Sequence, residues 1–147
     1  MRPIRLSAIV ITKNEGANIA ACLDSLEFCD ERIVIDSGSN DDTVRIAQSK
    51  GARVTNHHWQ GFGAQKNFAL SLANGDWVLS IDADERVSPP LAALIKKVID
   101  NASIDGYEMP RHSAFCGQLM RHSGWYPDYV LRLFRREGLV ARRREDK

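Results

Sequence analysis

Two patterns of apolar residues alternate along the chain. The first is short and continuous: Leu6-Ser-Ala-Ile-Val-Ile11, Ile33-Val-Ile35 and Trp77-Val-Leu-Ser-Ile81, with a briefer run from Ala52 to Thr55 after Gly51. Runs of this length, rich in β-branched residues and closed by polar loops, read as buried strands. The second pattern has helical spacing: Ile19, Ala20, Leu23 and Leu26, then Val44, Ile46 and Ala47, then Phe68, Ala69 and Leu72, then Leu94, Ile95 and Val98. Asn14 or Asn18 is placed to cap the first helix. Ser39 and Asp42 have capping-box spacing before the second, which runs to Lys50. The third spans Ala64 to Ala73. Ser88 caps the fourth, whose first turn holds Pro89-Pro90 and which runs to about Asn101. Strand and helix alternate four times, which predicts a parallel sheet with crossover helices. From Gly106 the pattern changes to shorter strand-like pieces, Tyr107 to Arg111, Ala114 to Met120 and Tyr129 to Phe134.

Composition narrows the class. A chain of 147 residues, 44% apolar and 27% charged, predicts one domain with a core and excludes wholesale disorder. Its 20 basic and 19 acidic residues leave a net charge of +1, which argues against a nucleic-acid binder working by bulk positive charge. Leu6 to Ile11 is too short for a membrane span or a signal-peptide core. The sparse, odd set Cys22, Cys29 and Cys116 reads as buried thiols in a reducing compartment, so the expected location is the cytoplasm. From Arg132 to Lys147, seven Lys/Arg face three acids. That stretch reads as a solvated tail, with contact to anionic lipid head groups as the functional alternative.

Ligands of open parallel sheets bind outside the carboxyl ends of the strands. Three polar loops fall at such ends: Thr12 to Gly16, Asp36 to Ser39 and Asp82 to Glu85. Asp82-x-Asp84 is the sharpest element. Two carboxylates one residue apart can hold Mg²⁺ or Mn²⁺, which keeps waters and shares substrate phosphates. Asp36 can accept from a ribose hydroxyl or a base N–H, or can form an Asx-type turn cap. Lys66, near the start of a helix, suits a phosphate together with helix N-terminal amides, or is an ordinary exposed lysine. A dinucleotide fingerprint would need glycines that Thr12–Gly16 lacks, and no phosphate-cradling G-x-x-x-x-G-K-[ST] loop is present. A haloacid-type phosphatase would carry its Asp-x-Asp after the first strand, not the fourth. His57, His58, His112 and His122 match no zinc spacing, and no serine-nucleophile elbow occurs.

Taken together, Ser7-Ala-Ile-Val-Ile-Thr-Lys-Asn-Glu15, Ile33-Val-Ile-Asp-Ser-Gly-Ser39 with Asp41-Asp-Thr43, Ala64-Gln-Lys-Asn67 and Gly75-Asp-Trp-Val-Leu-Ser-Ile-Asp-Ala-Asp-Glu85 resemble the family 2 glycosyltransferases, in order and in spacing. Gly124-Trp-Tyr-Pro-Asp128 and Arg132-Leu-Phe-Arg-Arg136 look like the branch containing lipopolysaccharide-core β-glucosyltransferases. The resemblance implies a GT-A fold, a Rossmann-like α/β architecture with a mostly parallel sheet flanked by helices. It also implies inverting transfer of a sugar, expected to be glucose from UDP-glucose, to a saccharide acceptor such as lipopolysaccharide core.

In that scheme Ile11, Thr12, Asn14 and Glu15 line the nucleotide base and ribose, largely through backbone groups. Asp36 binds uracil or its ribose, and Lys66 approaches the base or diphosphate. Asp84 ligates Mg²⁺ or Mn²⁺ directly, and Asp82 binds the ribose or the metal through water. Asp128 is the candidate base, set against a turn residue after Pro127. The division expected is a nucleotide-sugar-binding half over 1–110 and the start of an acceptor-side segment over 111–147, within one domain. Family members run to about twice this length, so the chain reads as truncated. A catalytically silent nucleotide-sugar-binding module is the alternative. The implied partners are a UDP-sugar and a saccharide or lipid-linked saccharide acceptor, with no nucleic acid. Peripheral contact at the inner face of the cytoplasmic membrane and a homo-oligomer stay open.

Overall fold

The computed structural model describes residues 4–100, 106–110, 120–121 and 129–136. They form β1 (Leu6–Thr12), α1 (Ile19–Asp24), β2 (Glu31–Asp36), α2 (Thr43–Ser49), β3 (Arg53–Asn56), α3 (Phe62–Leu72), β4 (Trp77–Asp82), α4 (Pro89–Val98), β5 (Gly106–Pro110), β6 (Met120–Arg121) and β7 (Tyr129–Arg135). The sheet order is β3-β2-β1-β4-β7-β5-β6. The first four strands are mutually parallel, and β7, β5 and β6 join antiparallel. The sheet therefore continues across residue 110, with β7 seated between β4 and β5.

The apolar runs are continuous because both faces of the inner strands are covered. On one face, Ala8, Val10, Val34, Leu79 and Ile81 meet α1, α2 and α4 through Ile19, Leu23, Ala47, Leu91 and Ile95. On the other, Ile9, Ile33, Ile35, Val78 and Phe134 meet α3 through Ala69 and Leu70. Phe68 and Leu72 are half-buried against this second core, and polar Gln65 is as fully buried on α3 as Ala69. No helix among the described residues is long and apolar enough to cross a membrane.

Two expected caps form differently. Ser39 and Asp42 make no capping box; Asp42 is the N-cap of α2 without a side-chain bond, and Ser39 turns back to Asp36. Asn18 is the N-cap of α1 by position, but its amide donates to Glu15 Oε1 instead. In both cases the side chain is oriented by donating to a nearby carboxylate, and the Ser39 oxygen accepts from Asn14 N–H instead of a helix amide. Ser88 does cap α4, accepting from Leu91 N–H at 3.3 Å. The piece expected over Tyr107 to Arg111 appears as β5 (Gly106–Pro110); of the piece expected over Ala114 to Met120 only Met120, which opens β6, belongs to the described residues.

The amino-terminal edge of the sheet is tied by Glu31. Its carboxylate accepts from Ser7 Oγ (2.6 Å), Asn74 N–H (2.7 Å) and Asn74 Nδ2 (3.1 Å), and pairs with Arg53. Burial opposes ionisation of Glu31, but these donors and Arg53 outweigh it and hold its pKa below the ordinary value. Gly75 donates its N–H to Ser7 Oγ. A Cβ on Gly75 would lie 2.8 Å from the Ser7 backbone nitrogen and 2.9 Å from the Trp77 carbonyl oxygen, so this turn accepts only glycine without movement.

Candidate functional site

Strand register sets the site. Thr12 pairs with Asp36, Asp36 with Asn56, and Asp82 with Ile11. The polar carboxyl ends of four neighbouring strands thus stand in one row. Asp36 and Asp82 are two strand spacings apart, about 10 Å. The row includes the β1–β4 junction, where the order of connections reverses and an open sheet forms its crevice.

At the β1–β2 end the loops lock each other. Asp36, buried, accepts at Oδ1 from Thr12 Oγ1 (2.8 Å) and Ser39 Oγ (2.5 Å), and at Oδ2 from the N–H groups of Gly38 (3.0 Å) and Ser39 (2.8 Å). Burial penalises its charge, but the bonds from Ser39, Thr12 and Gly38 prevail and lower its pKa. This is Asx-turn geometry, and the four donors take up the acceptor capacity of the carboxylate. A ligand donor reaching Asp36 displaces one of them.

The N–H groups of Asn14, Glu15 and Gly16 donate in turn to Ser39 Oγ, Thr43 Oγ1 and Asp41 Oδ2. Asn14 has φ 54°, a conformation asparagine tolerates, and its side-chain oxygen accepts from Asn40 N–H. Lys13 Nζ donates to the carbonyls of Ser37 and Gly38. Three successive amides that could have cradled a phosphate are therefore engaged within the protein.

At the β4 end, Asp82 to Glu85 form a tight turn. Glu85 N–H donates to Asp82 O, and Asp82 N–H donates to Glu85 Oε1, each at 2.9 Å. Glu85 is buried against the Arg132 guanidinium, which engages Oε1 through one nitrogen and Oε2 at 3.0 Å through the other. Burial raises the Glu85 carboxyl above its ordinary range, and the bonds from Arg132 limit that rise. Asp82 and Asp84 are exposed, and the Asp82 carboxylate lies 4.0 Å from Arg132. Beneath them Cys22 of α1 points its Sγ at the Asp82 carbonyl, 3.7 Å away. Burial first, then the charges of Glu85, Asp82 and Asp84, push this thiol up to about 12. Burial likewise raises Cys29.

Lys66 Nζ bonds Ser80 Oγ at 3.2 Å. Ser80 precedes Asp82 by two residues on the same side of β4, so Lys66 stands one pleat repeat from the acidic turn. Gln65 anchors the loop entering α3, donating to His57 O (3.1 Å) and bonding His57 Nδ1 (2.8 Å), while His57 stacks on Phe68. His57 N–H in turn donates to Asp36 O.

Among the described residues no three His, Cys, Asp or Glu side chains gather to hold a metal. Two exposed carboxylates on one turn fit a Mg²⁺ or Mn²⁺ ion that keeps waters and shares ligand phosphates, not a closed protein cage. Asp128 and Gly124-Trp-Tyr-Pro lie outside the described residues. The sequence did not pair Glu85 with Arg132, nor Gln65 with His57. Glu85 ends the Gly75–Glu85 motif and Arg132 begins Arg132-Leu-Phe-Arg-Arg136, but nothing in their spacing signals that they meet.

A sheet of this order, covered on both sides by helices and with its polar strand ends in one row, defines a Rossmann-like α/β protein of the GT-A type. Residues 7–145 match the model of Glycosyl transferase family 2, and the chain belongs to that family. It is 35% identical over 142 residues to the lipopolysaccharide core biosynthesis glycosyltransferase LpsC of Rhizobium meliloti, covering 89% of this chain and 51% of that protein. Residues 1–349 of S. aureus TarS superpose with a TM-score of 0.72 at 21% identity, covering 95% of this chain and 49% of that one. Glucosyl-3-phosphoglycerate synthase of Mycobacterium tuberculosis, solved with Mn²⁺, UDP and glucosyl-3-phosphoglycerate, gives 0.59 at 28% identity, covering 70% and 42%. The chain spans about half or less of the length of the curated relatives it matches.

Proposed function

We propose that this stretch binds the donor of an inverting, metal-dependent sugar transfer: a UDP-sugar, with glucose as the sugar, given to a saccharide or lipid-linked saccharide such as lipopolysaccharide core. The carrying observation is the row Asp36, Thr12 and Asp82 across β2, β1 and β4, whose length of about 10 Å suits a nucleoside diphosphate. The Mycobacterium tuberculosis relative, solved with UDP and Mn²⁺, supports the choice of nucleotide and ion. The lipopolysaccharide-core relative supports the acceptor class.

Base and ribose lie at the β1–β2 end, over Ile11, Thr12, Asn14 and Glu15. Asp36 shapes that end through its turn and meets uracil or ribose on exchange of one internal donor. The diphosphate lies toward β4, because the amides of residues 14–16 are engaged and Lys66 supplies a cation near Asp82. Asp84 would hold Mg²⁺ or Mn²⁺ directly, and Asp82 would bind the ribose or the metal through water. When bound, the ion offsets charge developing on the departing diphosphate. Asp128 is the proposed base, removing the acceptor hydroxyl proton as that oxygen attacks the anomeric carbon. Residues 1–110 form the donor half and 111–147 begin the acceptor side. The proposed compartment is the cytoplasm, in keeping with the buried thiols Cys22 and Cys29.

The test is an assay of UDP release from UDP-glucose with Mn²⁺ and a saccharide acceptor, run beside UDP binding. Transfer abolished in Asp128→Asn supports the full scheme. UDP binding without transfer identifies this stretch as a donor-binding module alone, and absence of both contradicts the proposal.

A further inference from the structure

The Asp82–Glu85 turn is held by a residue that comes 47 positions later in the chain. Arg132 belongs to β7, whose register against β4 runs Leu79↔Leu133 and Val78↔Phe134. Phe134 packs with Val78 in the core under α3, so by alternation Arg132 falls on the same side as Ser80 and Asp82. Its guanidinium, almost wholly buried, meets both oxygens of Glu85 in a fork. Glu85 is bonded to both backbone ends of Asp82, accepting its N–H and donating to its carbonyl. The second nitrogen of Arg132 also lies 4.0 Å from Asp82 Oδ2.

A buried ion pair often does no more than fill space, and apolar residues of similar volume serve the fold equally well. This pair differs in where its bonds go. Both partners reach Asp82, Glu85 through its backbone N–H and carbonyl and Arg132 at 4.0 Å from its carboxylate. An ion held by two carboxylates needs them at a set separation, and groups behind the ligands commonly set it. We infer that Arg132, acting through Glu85, is a positioning residue that holds Asp82 and Asp84 in the spacing a divalent cation requires, so that β7 helps build the metal end of the donor site.

This rests on the reading of that turn as a metal site under a nucleoside diphosphate. The test measures, by calorimetry, UDP affinity with and without Mn²⁺ and the affinity of uridine. It compares the unaltered chain, Asp84→Ala, Arg132→Lys, and the double variant Glu85→Met with Arg132→Met. The expected result is that the Mn²⁺-dependent gain in UDP affinity falls about tenfold in Arg132→Lys and in the double variant, while uridine affinity is kept. If Arg132→Lys does not fold, the double variant decides, because it leaves no buried charge unpaired. A Mn²⁺ gain lost in Asp84→Ala but retained in the two Arg132 variants overturns the positioning role and leaves the metal site standing. Uridine and UDP affinities falling together, with the Mn²⁺ gain intact, also overturn it. No Mn²⁺ gain in the unaltered chain overturns the metal reading itself.

Discussion

Asp36 shows how one side chain can organise a binding edge from below. Its four donors come from β1 and from the turn after β2, so the carboxylate joins two of the three loops at the site. Its folded pKa is lowered, so the unfolded chain takes up a proton at a higher pH than the folded chain. The stability it contributes is therefore complete above its unfolded value of about 4 and is lost as pH falls through the lower folded value. Glu31 is shifted the same way and adds to the same limb. Acid titration of folding, followed by circular dichroism, is expected to show a shallower stability loss below about pH 4 in Asp36→Asn than in the unaltered chain. The variant itself is expected to be less stable at neutral pH by about 1–3 kcal/mol, since an amide hydrogen then faces donors. Cys22 makes a second residue-scale prediction. With its pKa near 12, it is expected to resist alkylation in the folded protein and to react on unfolding in urea, read by mass spectrometry of the peptide carrying it.

At the scale of elements, the strands were legible because burial on both faces leaves an uninterrupted apolar run. The observed β1, β2 and β4 lie within two residues of the runs read from the chain. Helix starts were less legible. Ser39 had the chemistry of a cap, yet Asp36, three residues back, and Asn14, 25 residues back, claim both functions of its hydroxyl. Polar side chains serve whichever partner the tertiary fold brings nearest, and spacing along the chain does not report that partner. The same reason hid Gln65, fully buried on α3 to hold His57. Tight packing at a turn gives the prediction for this scale. Gly75→Ala is expected to cost about 1–3 kcal/mol in urea denaturation, because the new methyl meets backbone atoms of Ser7 and Trp77 that cannot rotate away.

At the scale of the molecule, the alternation of strand and helix announced the parallel part of the sheet and the edge where a ligand would bind. The insertion of β7 between β4 and β5 was not readable, because pairing between distant strands leaves no periodic trace. That insertion brings Arg132 to Glu85 and so attaches the later part of the chain to the acidic turn. The row of polar strand ends was predicted as three loops, and the structure adds how they differ. The β1–β2 loops are closed upon themselves, whereas the β4 turn presents Asp82 and Asp84 outward. This asymmetry is the ground for proposing the diphosphate and its ion at β4. Calorimetric titration of the chain with UDP, with and without Mn²⁺, in the unaltered protein and in Asp84→Ala, tests that placement most directly. Mn²⁺ is expected to tighten UDP binding by about tenfold or more in the unaltered chain and to do nothing in Asp84→Ala. UDP binding of equal strength in all four measurements would contradict the account.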